Sequence, residues 1–237
     1  MSNWKNNVLV TICAKGNSKG LTNKNLKSFF EKPLIYYAIE KALKLNFNYI
    51  CLSSESNKII NVAKKYGLNV FFKRSSKLSL SNTAKIDVWK DAILKSEKFY
   101  GKKFKYFLDI DVTNPMLNET DLKNFLKNFF KNKNLNGQLI TTESRKNPYF
   151  NMLMRKKNGF QVCLKSKKIY SRQKAPKIYD HVAGFYIFKT KYILNSNWEN
   201  YLSNKISNYN VPFYKTIDID TIEDFNITKI LFKNIIK

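Results

Sequence analysis

Short apolar runs and amphipathic helical stretches take turns along most of this chain, and that alternation constrains the fold more than any other feature. Apolar, strand-like runs begin at Val8 (VLVTIC) and recur over Tyr49–Ser53, Asn69–Lys73, Phe104–Val112 and Gln138–Thr142, with later ones over Val182–Lys189 and Val211–Asp218. Helical patterns fill the intervals over Pro33–Leu45, Glu55–Tyr66, Thr83–Lys95 and Leu117–Phe130, and a last one begins near Thr221 and continues through Ile235. In the first of these, Leu34, Ile35, Ala38, Ile39, Ala42 and Leu43 fall on one face at helical spacing. Strands of this length separated by helices of about a dozen residues predict an α/β fold with a mostly parallel sheet covered on both faces.

The alternation breaks at Ser144. Residues 145 to 181 are basic, aromatic and without a clear period, although Phe150–Arg155 and Phe160–Leu164 can pair as a hairpin across Asn158 and Gly159. Such an excursion from a compact sheet reads as a lid or as an arm onto another subunit. The 237 residues suit one domain, 1–237, with an inserted arm at about 145–181.

The formal net charge of +26 raises the question of a nucleic-acid partner. The lysines are dispersed over nearly every segment rather than gathered in a stripe, and Asn is abundant throughout as well, as an AT-rich coding sequence would produce. We therefore expect no nucleic-acid partner. The positive field would instead speed the arrival of anionic small molecules. Cys13, Cys51 and Cys163 are odd in number and widely spaced, which fits a reducing cytoplasm. No run approaches the roughly 18 apolar residues of a spanning helix, so no membrane association is expected.

The first strand delivers a loop, Ala14 to Asn25, that carries Lys15, Lys19 and Lys24. Ligands of open α/β sheets sit just beyond the carboxyl ends of strands, where freed backbone N–H groups approach phosphate. Gly16 and Gly20 would allow close approach, and Asn17 and Ser18 add donors. The loop has neither the dinucleotide-binding nor the P-loop spacing, and an ordinary basic connection remains open on this stretch alone.

Two carboxylate pairs stand at strand ends, Asp109 with Asp111 and Asp218 with Asp220. Residues two apart on a strand share a face, so either pair suits Mg²⁺, which takes a few protein oxygens plus substrate phosphates. The alternative for either pair is a helix cap or a bridge to lysines. Arg74 and Arg172 are candidates to clamp phosphate or carboxylate. His181, the single histidine, reads as a packed or surface residue rather than a general base. Zinc-hydrolase and acyl-transfer spacings are absent.

Taken in order, these stretches resemble the acylneuraminate cytidylyltransferase family, the CMP-sialic acid synthetases with their legionaminic and pseudaminic relatives. ICAKGNSKGLTNKNL is similar to the family loop A-R-G-x-S-K-G-[LIV]-P-x-K-N, and KPLIYYAIEKAL follows at the expected place. Arg74, Leu78 and SNTA resemble R-P-x-x-L-A-x-D-x-A; LDIDVTNPM resembles L-x-Q-P-T-S-P; SRQKAP resembles R-Q-x-L-P; TIDIDTIEDF resembles D-I-D-T-x-x-D-F. The resemblance implies a three-layer Rossmann-like fold of the nucleotide-diphospho-sugar transferase kind. It also implies transfer of CMP from CTP to a nine-carbon 2-keto sugar acid with Mg²⁺, releasing pyrophosphate for surface glycan synthesis. By position it gives Ala14, Lys15, Gly16, Asn17, Ser18, Lys24, Asn25 and Arg74 to the nucleotide, and Asp218 and Asp220 to the metal. Lys15, Lys24 and Asp218 would carry the chemistry. A homodimer is implied, with the arm's Arg172 and Gln173 reaching the neighbour's sugar site, where Asp111 also contributes. The chain departs from the pattern where the family has Arg (Lys15), Pro (Thr22), Asp (Asn82), Arg (Leu117) and Gln (Asp111), the last change being associated with the legionaminic branch. The segment before the return strand, DHVAGFYIF, lacks the usual Asn-Gly. A same-fold transferase for another sugar or base, or a weakened homologue, remains the alternative.

Overall fold

The computed structural model describes residues 4–18, 20–166, 169 and 171–235. Lys19, one of the three loop lysines, lies outside the described residues. The elements in order are β1 (Val8–Cys13), β2 (Ser28–Phe29), β3 (Lys32–Pro33), α1 (Leu34–Lys44), β4 (Ile50–Ser53), α2 (Asn57–Lys65), α3 (Lys85–Tyr100) and β5 (Tyr106–Ile110). They continue with α4 (Glu119–Lys131), β6 (Gly137–Glu143), β7 (Leu153–Lys156), β8 (Gly159–Val162), β9 (Tyr179–Lys189), α5 (Thr190–Asn195), β10 (Ile206–Asn210) and α6 (Ile222–Ile235).

Six strands form the main sheet in the order β10-β6-β9-β5-β1-β4. β1 runs parallel to β4 and β5, and β10 parallel to β6, while β9 is antiparallel to both its neighbours. The period of two along β1 divides its side chains between two cores: Val8, Val10 and Ile12 face one, and Leu9 faces the other. The first core is covered by Ile35, Ile39 and Ala42 of α1 and by Leu122, Phe125 and Phe129 of α4. The second is covered by Ile86, Trp89 and Ile93 of α3 with Ile193 of α5. Three layers result, and the expected mostly parallel α/β sheet is the one observed.

Helix ends follow local chemistry. Asn118 caps α4, accepting from the Asp121 backbone N–H at 3.0 Å while the Asp121 carboxylate accepts from the Asn118 N–H at 2.8 Å. The Thr221–Asp224 box expected at the last helix is present, with the Thr221 hydroxyl accepting the Asp224 N–H at 3.1 Å. The hairpin expected in residues 145–181 forms as β7 with β8, register Leu153 to Val162.

Two expected strands are corrected. Asn69–Lys73 joins no ladder; its rings pack instead, Phe71 stacking on Phe99 of α3 at 4.1 Å. Aromatic content raised the strand signal there, and packing against a helix uses it. The last strand is not Val211–Asp218 but Ile206–Asn210, in which no residue is fully buried. An edge strand carries little apolar signal, and Pro212 lacks the N–H that would extend the ladder. Residues 213–215 turn instead.

Candidate active site

At the carboxyl end of β1 the chain leaves the sheet with Ala14, whose N–H still reaches the Ser53 carbonyl at 3.0 Å. The Gly16 N–H donates to Glu55 Oε1 at 2.7 Å, and a Cβ at Gly16 would stand 2.7 Å from Ser56 Cβ. Gly20 crosses the segment after Asp218 so closely that its Cβ would fall 2.3 Å from the Asp220 carbonyl oxygen. Both glycines are therefore steric requirements of the loop. The loop returns through a turn at Lys24–Leu26, where Asn25 Nδ2 donates to the Lys15 carbonyl at 2.8 Å and Lys24 Nζ meets Asp220 Oδ1 at 2.7 Å.

These contacts enclose a cleft of about 380 Å³ lined by Lys15, Ser18, Lys24, Asn25 and Asp220, with Cys13, Gly20, Leu21, Ser81 and Thr113. Five of the sequence candidates thus share one cavity. Ala14 is fully buried beneath it and Asn17 is exposed outside the lining. Arg74 is buried; its Nη2 donates to Glu55 Oε2 at 2.8 Å and its Nε to Ser79 Oγ at 3.0 Å. Glu55 is partly desolvated, yet Arg74 and the Gly16 amide hold its carboxyl below the usual range. The sequence reading missed Glu55, although its place just beyond β4 is where such sheets gather functional groups.

The two carboxylate pairs separate into different roles. Asp109 is fully buried, accepts from Thr11 Oγ1 at 2.7 Å and lies 3.1 Å from Lys85 Nζ. Asp111 lies 2.6 Å from the same ammonium, which overcomes its burial and lowers its pKa. The first pair is therefore bridged by a lysine, one of the alternatives the sequence left open. Asp218, in contrast, keeps a buried Oδ1 without a hydrogen-bond partner among the described residues. Burial raises its pKa, Asp111 and Asp220 push the same way, and the Thr113 hydroxyl opposes them.

Among the described residues no three His, Cys, Asp or Glu side chains gather closely enough to hold a metal by themselves. A divalent ion here would depend on two carboxylates and on phosphate oxygens, as Mg²⁺ commonly does. The orphaned Asp218 oxygen beside a lysine-lined cleft fits that donor set.

The loop after β5 ties these parts together. The Ile219 N–H donates to the Thr113 carbonyl at 3.0 Å, and Asn114 Nδ2 bonds the carbonyls of Ala183 and Lys215 at 3.0 and 2.8 Å. Leu117, where the resemblance expects Arg, is fully buried, and the buried Lys41 ammonium bonds its carbonyl at 2.7 Å.

Arg172 and Gln173 are exposed and line another cavity, of about 240 Å³, with Arg145 and Lys146. Within one chain they do not join the loop cleft. His181 is on β9 with its ring 5.4 Å from Tyr186, and burial together with Lys85 lowers its pKa.

A family model described as cytidylyltransferase matches residues 9–235. The chain belongs to the cytidylyltransferase family. It is 38% identical over 226 residues to a Campylobacter jejuni CMP-N,N'-diacetyllegionaminic acid synthase, covering 94% of each protein. It is 36% identical over 228 residues to a Campylobacter coli post-translational flagellin modification protein B, covering 95% of each. A solved CMP:2-keto-3-deoxy-manno-octonic acid synthetase complexed with CTP superposes with a TM-score of 0.68 at 14% identity, covering 96% of this chain and 98% of that one. This last likeness establishes the cytidylyltransferase fold. No described helix is long and apolar enough to cross a membrane.

Proposed function

We propose that this cytidylyltransferase transfers CMP from CTP to the anomeric hydroxyl of a nine-carbon 2-keto sugar acid of the legionaminic type, in the cytoplasm. The observation that carries the reading is the 38% identity, over 94% of both chains, to the legionaminic synthase. The anomeric oxygen attacks the α-phosphorus as its proton departs, the bond to the β-phosphate bridging oxygen breaks, and pyrophosphate leaves.

Such chemistry demands positioning and charge stabilisation. Lys15 and Lys24 line the cleft and would hold the triphosphate, with Ser18 donating beside them. Gly16 lets the loop pack closely on Glu55 and Ser56, and Asn17 would contribute from the exposed side of the same loop. Asn25 has Nδ2 committed to the Lys15 carbonyl, which makes its amide oxygen the group to accept from a cytosine amino hydrogen. Arg74 acts through Glu55 on the loop rather than as a free phosphate clamp. Asp218 and Asp220 would hold Mg²⁺, which when bound neutralises charge on the phosphates.

The arm's Arg172 and Gln173 would meet the sugar acid in a second copy's site. Their separation from the cleft within one chain supports that reading, as do the exposed Phe150, Leu153, Met154 and Phe160 on the same arm. The test is pyrophosphate release from CTP and Mg²⁺ with neuraminic, legionaminic and pseudaminic acids in turn. Release with the legionaminic acid and not with other NTPs supports the proposal; no release with any acid overturns it.

A further inference from the structure

We propose that Lys41 is a positioning residue: it holds the turn after β5 from the α1 side and so keeps Thr113, and through it Asp218, in place for a divalent ion. The inference rests on the metal role proposed above for Asp218. Residues 114–117 are buried yet form neither strand nor helix, so their backbone carbonyls must find partners elsewhere. Lys41 supplies one. From the buried side of α1 its ammonium donates to the Leu117 carbonyl at 2.7 Å and reaches the Asn114 carbonyl at 3.4 Å. It also stands 5.7 Å from the centroid of the Phe185 ring on β9.

This ammonium has no carboxylate of its own among the described residues. The three that attract it are committed to other lysines: Asp121 to Lys215 at 2.8 Å, Asp111 to Lys85 at 2.6 Å and Glu40 to Lys44 at 3.2 Å. Desolvation therefore wins and lowers its pKa to about 8. Burying a cation in that condition opposes folding, and an apolar side chain of similar volume is often no less stable in such a place. What the lysine provides is a fixed geometry for the turn. Leucine stands at position 117 where the resemblance expects arginine, and the cation at this turn comes from α1 instead.

The turn passes this constraint to the site. Thr113 lines the nucleotide cleft, its carbonyl accepts the Ile219 N–H at 3.0 Å, and its hydroxyl stabilises the Asp218 carboxylate. Asn114 Nδ2 fixes the same turn to the Ala183 carbonyl of β9 and to the Lys215 carbonyl, just before Asp218, at 3.0 and 2.8 Å. At its other end α1 begins against the returning limb of the basic loop, where the Leu34 N–H donates to the Lys27 carbonyl at 3.0 Å. One helix thus connects the limb that carries Lys24 and Asn25 to the turn that holds Asp218.

The experiment reads Lys41→Met and Lys41→Arg against the wild type in two ways. Amide hydrogen exchange of the metal-free protein follows residues 111–118 and the Ile219 amide, and initial rates with CTP and the preferred sugar acid are titrated with Mg²⁺. In Lys41→Met we expect exchange in both segments to quicken at least about fivefold. The half-saturating Mg²⁺ concentration should rise about 5- to 20-fold, with kcat at saturating Mg²⁺ within about threefold. Lys41→Arg keeps charged donors for the carbonyls and should return both readings to within about threefold of the wild type. A merely destabilised enzyme would lose kcat and keep its Mg²⁺ requirement, so unchanged half-saturation, or unchanged exchange at Ile219, overturns the proposal. If Lys41→Met does not fold, Lys41→Gln, which keeps an uncharged donor, carries the same two readings with the same directions expected. An Asp218→Asn variant that keeps the wild-type turnover and Mg²⁺ requirement overturns the metal role of Asp218 itself, a different result that the exchange measurement does not depend on.

Discussion

Glu55 accepts the backbone N–H of Gly16 at 2.7 Å, while its second oxygen accepts Arg74 at 2.8 Å. One carboxylate thereby joins the loop after β1 to the segment after α2. Glu55→Gln keeps an acceptor for Gly16 but removes the charge that Arg74 pairs with. We expect KM for CTP to rise about 5- to 10-fold with kcat within about twofold, since hydrogen bonds to charged groups contribute about 1.5–3 kcal/mol. Steady-state kinetics with saturating sugar acid checks this, and an unchanged KM refutes it.

Asp218→Asn removes the carboxylate whose buried Oδ1 has no hydrogen-bond partner among the described residues. Without divalent ions the variant should melt above the wild type, because burial and the neighbouring Asp111 and Asp220 carboxylates disfavour the charged form more than the Thr113 hydroxyl stabilises it. With Mg²⁺ and CTP it should lose at least about 100-fold in turnover. Melting curves with and without Mg²⁺ decide the first part: a lower melting temperature for the metal-free variant would mean that the Thr113 hydrogen bond outweighs burial and the repulsion of Asp111 and Asp220.

Lys41 is buried, and its pKa is lowered from 10.5 to about 8 by desolvation, which Asp121, Asp111 and Glu40 only partly oppose. The unfolded chain keeps this proton up to its ordinary value, so between pH 8 and 10.5 it binds more protons than the folded chain. Stability from this group therefore rises with pH across that window, by about 2 kcal/mol between pH 7 and 9.5. Lys41→Met should flatten that increment in urea titrations at the two pH values. Equal pH dependence in both proteins would contradict the burial of the ammonium.

The shared site proposed above predicts that Arg172→Ala and Asp218→Ala are complementary. Each alone should be nearly inactive, and mixing them under subunit exchange should restore about a quarter of wild-type activity, from random pairing. Failure to recover activity would place Arg172 outside the neighbour's site.

Phe160→Asp, at a position 65% exposed, should leave the fold intact and shift the protein toward a monomer in light scattering. A dimer that persists would move the interface off the hairpin.

The alternation of apolar runs with helical faces, the small-residue loop, the Asn158-Gly159 hairpin and the Thr221–Asp224 cap were legible in the sequence. Each depends on spacing between near neighbours, which backbone geometry converts directly into structure. The polar edge strand β10 was not, because an edge has little apolar surface to bury. Nor could the aromatic run at Phe71 be assigned, since a ladder and a helix surface compete for the same rings. The site divides in the same way. The residues of the basic loop and the two acidic pairs could be read from order and type. Which acidic pair is neutralised, and which keeps an open oxygen, could not. That difference follows from Lys85, which packing brings to Asp111 across 26 positions of chain, and from Lys24, brought to Asp220 across 196. Ion pairing between distant residues is decided by how helices seat on the sheet, and only the tertiary structure determines that.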